Sequence, residues 1–152
     1  KTMKTRAVRL YGKEDLRLET FELPAIRDDE ILAKVICDSI CMSTYKAAEQ
    51  GADHKRVPDD VAENPVIVGH EFCGEILQVG SKWQSEFKPG ERCAIQPNIN
   101  YKGTMWSPGY SFRTIGGDAT YIVIPNQFME CGCLLPYHGE AFFGASLSEP
   151  LS

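Results

Sequence analysis

Six short segments of this chain, AVRLYG, DLRLETFEL, EILAKVICDSIC, EFCGEILQVG, RCAIQP and ATYIVIP, carry apolar residues in strand-like patterns bounded by Gly, Pro, Asn or Asp. Side chains two apart share one face of a strand, so apolar alternation over a few residues, closed by turn formers, predicts β-strands. In EILAKVICD, Ile31, Ala33, Val35 and Cys37 fall on one face and Leu32, Lys34 and Ile36 on the other. Such a strand is largely buried. Many short strands with turn punctuation restrict the chain to a mainly β barrel or sandwich. At 152 residues one domain fits, and roughly 70% of the surface of the unfolded chain can be buried.

One helical stretch interrupts the strands. In CMSTYKAAEQG, Ser43 or Thr44 can cap a short helix, Ala47 to Gln50 favour it and Gly51 can end it. Cys41 then sits at a strand-to-helix junction, where a thiolate forms more easily than in mid-strand. The segments GADHKRVPDDVAENP and NINYKGTMWSPGYSFRTIGGD read as loops, the second rich in aromatic residues. A net charge of −5 argues against a nucleic-acid surface. No run reaches the ~18 apolar residues of a membrane span, and KTMKTRAVRLYG, with Met3 a candidate start, lacks the apolar core of a signal peptide. The expectation is a cytoplasmic protein with no membrane partner and six reduced cysteines. Cys37, Cys73 and Cys93 lie inside strand patterns and read as packing residues. Cys131 and Cys133 are spaced by two, unlike a zinc knuckle. His54, in a polar loop, and His138, in a turn, read as exposed and non-ligating.

Metal chemistry enters at VIVGHEFCGEILQVG, where His70 and Glu71 interrupt an apolar run. Catalytic zinc takes three protein ligands from Cys, His, Asp and Glu and keeps an open position. Cys41, His70 and Glu71 supply that set, and Glu149 in ASLSEPLS adds a possible fourth. Residue types alone leave a second reading open: His70 a hydrogen-bonded core histidine, Glu71 a surface residue and Cys41 packed. Neighbours in a regular strand face opposite sides, so His70 and Glu71 can both ligate only if the backbone bends between them. The bend is expected, with Glu149 near the metal and able to exchange with substrate.

The order of these motifs resembles the N-terminal catalytic domain of the medium-chain, zinc-dependent alcohol and polyol dehydrogenases. GHEFCGEILQVG is similar to that family's Gly-His-Glu zinc signature with its closing Val-Gly, and SICMSTYK to its ligand-cysteine segment. KPGERCAI, GGDATYIVIP and LSEPLS resemble its Pro-Gly-Asp-Arg-Val strand, its Gly-Gly-x-Ala-x-Tyr strand and its Glu-Pro lead into the next domain. The resemblance implies a GroES-like, partly closed β-barrel with short helices over residues 3–152, binding one catalytic zinc and ending where a Rossmann NAD(P)-binding domain begins. It implies Cys41 and His70 as zinc ligands, Glu71 as ligand or near-ligand and Glu149 as an exchangeable carboxylate. Ser43 matches the hydroxyl that takes the substrate alcohol proton, and Lys46 stands where some relatives place a histidine in that proton path.

Departures matter too. Met42 replaces the usual glycine and Thr44 the usual aspartate, and the aromatic-rich loop lacks the four cysteines of a structural zinc lobe. A second zinc is therefore not expected. The chain has no G-x-G-x-x-G after a strand, so dinucleotide binding is assigned to the missing domain and the 152 residues alone should not turn over. Within the family, AVRLYGKEDLRLETFELP, NPVIVGHEFCGEILQVGSKW and PGYSF are most similar to the sorbose-phosphate reductase branch. That implies ketone–alcohol interconversion on a polyol or sugar phosphate, with Lys46, Lys55 and Arg56 as cationic partners of the phosphate. A solvated loop is the other reading of His54–Arg56. The likeness also implies NAD or NADP as cofactor and a homo-oligomer at full length. Two rivals stand beside it: a zinc-less, quinone-reductase-type member of the superfamily, and a non-enzymatic GroES-like barrel module.

Overall fold

The computed structural model describes residues 2–138. Eight strands carry the architecture: β1 (Met3–Gly12), β2 (Asp15–Leu23), β3 (Ile31–Asp38), β4 (Val66–Ile67), β5 (Phe72–Val79), β6 (Arg92–Ile95), β7 (Tyr121–Ile124) and β8 (Leu134–Pro136). Helix α1 (Met42–Gln50) follows β3, and α2 (Asn126–Glu130) follows β7. Two sheets form, in the orders β2-β1-β4 and β7-β3-β5-β6-β8, with every recorded strand pair antiparallel.

The sheets meet along one seam and leave the barrel partly open. Thr5 Oγ1 donates to the Tyr121 carbonyl at 2.7 Å and accepts from the Tyr121 amide at 3.0 Å. Val8 N donates to Asp118 O at 2.9 Å, and Ala7 bridges Ala119. Thr5 is 1% exposed, so its hydroxyl serves as the extra backbone-like partner that a buried sheet corner needs. The result is a mainly β, GroES-like partial barrel, as the resemblance implied.

Alternation in β3 sorts its first residues as the sequence predicts, but a register shift between Val35 and Cys37 moves Cys37 to a separate cluster with Cys73, and Ile36 is exposed. Ile31 and Ala33 join a core with Phe72, Ile76, Ile95, Ile115, Ile122, Ile124 and Phe128, while Leu32 packs on the other side with Leu23 and Val123. A second core of Leu10, Ala47, Val57, Val61, Val66, Val68 and Tyr110 locks α1 and the 54–61 loop against β1 and β4. Ala47 is the one buried residue of α1, and Ala48 packs against the same core. Strand periodicity is silent on two elements: α2 is only five residues long, and β4 pairs over only two.

Candidate metal centre and its cavity

Strand β3 ends beside the turn that precedes β5, where Ser39 N donates to Glu71 O at 2.8 Å. The chain then enters α1 with Cys41, not Ser43 or Thr44, as the cap. Cys41 has extended backbone angles (φ −127°, ψ 138°), and its Sγ accepts from Ser43 N at 3.5 Å. Sulfur has taken the place usually held by a hydroxyl or carboxylate oxygen. Ser43 Oγ is 3.4 Å from the same sulfur. The far end of the helix is as expected, with Gly51 at φ 55° closing onto Ala47 O.

The bend expected at His70–Glu71 is present. Strand β4 stops at Ile67 and β5 resumes at Phe72, leaving 68–71 outside regular pairing. Gly69 makes the turn possible. Its φ is +92°, and a Cβ there would lie 2.6 Å from Asp38 Oδ2 and 2.8 Å from Asp118 N, so both conformation and crowding require glycine. Gly117 N holds the Gly69 carbonyl at 2.7 Å. His70, only 5% exposed, and half-buried Glu71 are thereby turned toward the start of α1.

The donor atoms of Cys41, His70 and Glu71 all lie within 4.8 Å of one another, and His70 Nε2 is 4.0 Å from Glu71 Oε1. Zinc bonds of ~2.0–2.3 Å at tetrahedral angles put ligand atoms about 3.5 Å apart. The three side chains therefore fit a zinc ion after adjustments of about an ångström, and thiolate, imidazole and carboxylate are its common ligand types. Among the described residues this is the one such group of three. Glu149 lies outside the described residues, as do Gly139 to Ser152 generally.

The other cysteines differ in environment. Burial pushes the Cys73 and Cys133 thiols up to about 11 and Cys93 up to about 12. Protonated thiols are poor metal ligands, which agrees with the packing role read for the strand cysteines. Cys133 is buried and Cys131 half-buried beside the main core.

A cavity of about 320 Å³ opens beside His70 and collects Ser43, Lys46, His54, Lys55 and Arg56 on its walls, with Tyr110 behind them. Five residues from two separate segments thus share one cavity with His70. His54 is not the exposed loop histidine expected. It is half-buried, stacked on Tyr110 with centroids 5.2 Å apart and planes at 10°, and its Nδ1 accepts from Arg56 N at 3.2 Å. Nothing local in GADHKRV signals this, because the stacking partner lies far along the chain. Tyr110 also tilts against His70, with centroids 5.4 Å apart. His138 is exposed, as expected.

Sequence reading also missed a carboxyl pair behind the cluster. Burial, a hydrogen bond with Asp118 and the nearby charges of Asp118 and Glu71 push Asp38 up to about 9. At neutral pH Asp38 is thus a neutral carboxylic acid hydrogen-bonded to Asp118. The pair packs against Gly69 and Gly117, the backbone that sets the His70–Glu71 turn. No residue spacing predicts a pairing across eighty positions.

Residues 27–132 match the alcohol dehydrogenase GroES-like domain family. The chain is 62% identical over 148 residues to the L-sorbose 1-phosphate reductase of Klebsiella pneumoniae, covering 97% of this chain and 36% of that protein. It is 48% identical over 148 residues to the mannitol-1-phosphate 5-dehydrogenase of Aliivibrio fischeri, covering 97% and 35% respectively. The chain therefore spans about a third of the length of these curated relatives. Its fold matches the crystal structure of 2R,3R-butanediol dehydrogenase from Bacillus subtilis with a TM-score of 0.75 at 24% identity, over 96% of this chain and 44% of that one. Among the described residues no helix is long and apolar enough to cross a membrane. With Cys41, His70 and Glu71 all inside the matched region, the chain belongs to the alcohol dehydrogenase GroES-like domain family.

Proposed function

We propose that residues 3–152 form the zinc-binding catalytic portion of a longer NAD(P)-linked oxidoreductase that interconverts the ketone and alcohol forms of a polyol or sugar phosphate. The observation that carries this reading is the Cys41–His70–Glu71 donor group, whose His70 lines a cavity walled by Ser43, Lys46, Lys55 and Arg56. The likeness to sugar- and polyol-phosphate enzymes over nearly the whole chain supports the substrate class.

Cys41, His70 and Glu71 would hold the zinc, with Glu149 as an exchangeable carboxylate. Bound there, zinc supplies Lewis-acid polarisation of the substrate oxygen. The residues of this chain do the rest of the local work. Ser43, in contact with Cys41 Sγ and on the cavity wall, is positioned to exchange a proton with the substrate hydroxyl. Lys46, one helical turn on at the cavity's edge, extends that path toward water. Lys46, Lys55 and Arg56 bring positive charge to the cavity, as a phosphate ester needs. The nicotinamide cofactor supplies the redox chemistry when bound, and its site is assigned to a Rossmann domain in the remainder of the longer protein. Oligomerisation at full length belongs to the same proposal.

Metal analysis of the full-length enzyme tests the reading against its rivals. About one zinc per chain, with activity lost on chelation and regained with zinc, is expected. Activity undiminished in a metal-free preparation would favour the quinone-reductase type. Metal-free protein with no dehydrogenase activity on any polyol or sugar phosphate would favour the non-enzymatic barrel.

A further inference from the structure

Loop 54–56 is built more rigidly than a solvated charge run. Arg56 Nη1 donates to Ser107 Oγ at 2.7 Å, and Ser107 is fully buried. Ser111 Oγ donates to the Arg56 carbonyl at 2.6 Å and accepts from Ser107 N at 3.0 Å. Two hydroxyls from a turn some fifty residues away thus clamp both the side chain and the backbone of Arg56. His54 is fixed on its face by Tyr110 and at Nδ1 by the Arg56 amide. Burial and the adjacent Arg56 and Lys55 charges lower its basicity, which favours a neutral ring. A neutral imidazole whose Nδ1 accepts a hydrogen bond carries its proton on Nε2. The ring lines the cavity together with Lys55 and Arg56, so the tautomer assigned by this hydrogen bond leaves one N–H to donate to a bound molecule.

We propose that His54 is a specificity-determining residue, donating its Nε2–H to a phosphate oxygen of the substrate beside the Arg56 guanidinium. The inference rests on the sugar-phosphate reading above and deepens it. A donor held before substrate arrives loses little ordering entropy on binding. Phosphate offers three acceptor oxygens at one point, which suits a cation and a neutral N–H projecting from the same clamped loop. Lys55 and Lys46, both exposed, add charge without that fixed direction.

The test uses the full-length enzyme and compares a sugar phosphate with the same sugar or polyol lacking phosphate. His54→Asn retains an oxygen able to accept from Arg56 N but has nothing at the Nε2 position. His54→Gln places an amide N–H near Nε2 and gives up the loop bond, and both variants lose the ring stacked on Tyr110. The expected result is that His54→Asn lowers the preference for phosphorylated over unphosphorylated substrate, as a ratio of kcat/KM, by about tenfold. His54→Gln should restore most of it. Inorganic phosphate should compete with the sugar phosphate in the wild type and about tenfold less well in His54→Asn. Gln as impaired as Asn, an equal loss on both substrates, or an unaltered preference in Asn would each overturn the role of His54 while leaving the wild-type preference standing. A wild type with no preference for phosphate and no inhibition by it would overturn the sugar-phosphate reading itself, and His54 with it.

Discussion

Replacing Asp38 by Asn should make the protein more stable than the wild type at pH 8, by a margin that grows with pH. Asp38 is pushed up to about 9 chiefly by burial and by its hydrogen bond with Asp118, whereas an aspartate in the unfolded chain titrates near 4. The folded state therefore holds a proton that the unfolded state has released. Its stabilising contribution is complete below about pH 4 and is lost as pH rises toward 9, at about 1.4 kcal/mol per pH unit. Asparagine donates to Asp118 without carrying a titrating proton, so the variant escapes that loss. His54 has the opposite sign, because burial lowers its basicity and the unfolded state takes up its proton below about pH 6.5. The buried thiols Cys73, Cys93 and Cys133 reinforce the alkaline loss as their unfolded counterparts ionise near 8.5. Both contributions are shared by the two proteins and cancel in their difference. Urea unfolding of reduced, zinc-stripped protein, followed by the fluorescence of Trp83 and Trp106, gives that difference directly. It should increase by roughly 1 kcal/mol between pH 7 and pH 8 in favour of the variant. A difference that stays flat across this interval would mean that folded Asp38 is already ionised at pH 7, and the neutral-acid account would fall.

Cys41→Ser or His70→Ala should abolish zinc binding measured by elemental analysis, while Cys93→Ser keeps the metal and costs about 1–3 kcal/mol for a poorly paired buried hydroxyl; equal metal loss in all three would indicate unfolding. Gly69→Ala should cost at least about 1–2 kcal/mol through its positive φ alone, and more through the clash with Asp38 and Asp118, with zinc retention falling in parallel; an undisturbed thermal midpoint would contradict the turn geometry. Single neutralisation of Lys46, Lys55 or Arg56 in the full-length enzyme should raise KM for the sugar phosphate, most at the clamped Arg56, and unaltered constants would mean that none of them contacts the phosphate. Glu149→Gln at full length should keep zinc but lower turnover, and a zinc-free Glu149→Gln beside a zinc-loaded Glu71→Gln would exchange the two carboxylates' roles.

Much of the frame was legible in the chain because its causes are local. Period-two alternation in EILAKVICD separates Ile31 and Ala33 from Leu32, and both groups lie where that pattern puts them, on opposite sides of one strand. Gly51 ends α1 because a positive φ at a helix terminus is a property of one residue. Residue types singled out Cys41, His70 and Glu71, and the order of the motifs pointed to the family. The cap of α1 was harder, because Cys41 competes with Ser43 and Thr44 in sequence, and the structure gives the role to Cys41. His54 lay beyond reach, since what turns a polar-loop histidine into a cavity wall is Tyr110 and the Ser107–Ser111 clamp, fixed by contacts across half the chain. The same holds for the Asp38–Asp118 pair. A lone aspartate in sequence is a solvated charge by default, and it becomes a half-buried neutral acid only when the seam between the sheets carries a second carboxylate against it and two glycines let the backbone pack close to the pair. Periodicity and residue chemistry are encoded within a few neighbours, whereas desolvation and long-range pairing exist only once the sheets have closed around them.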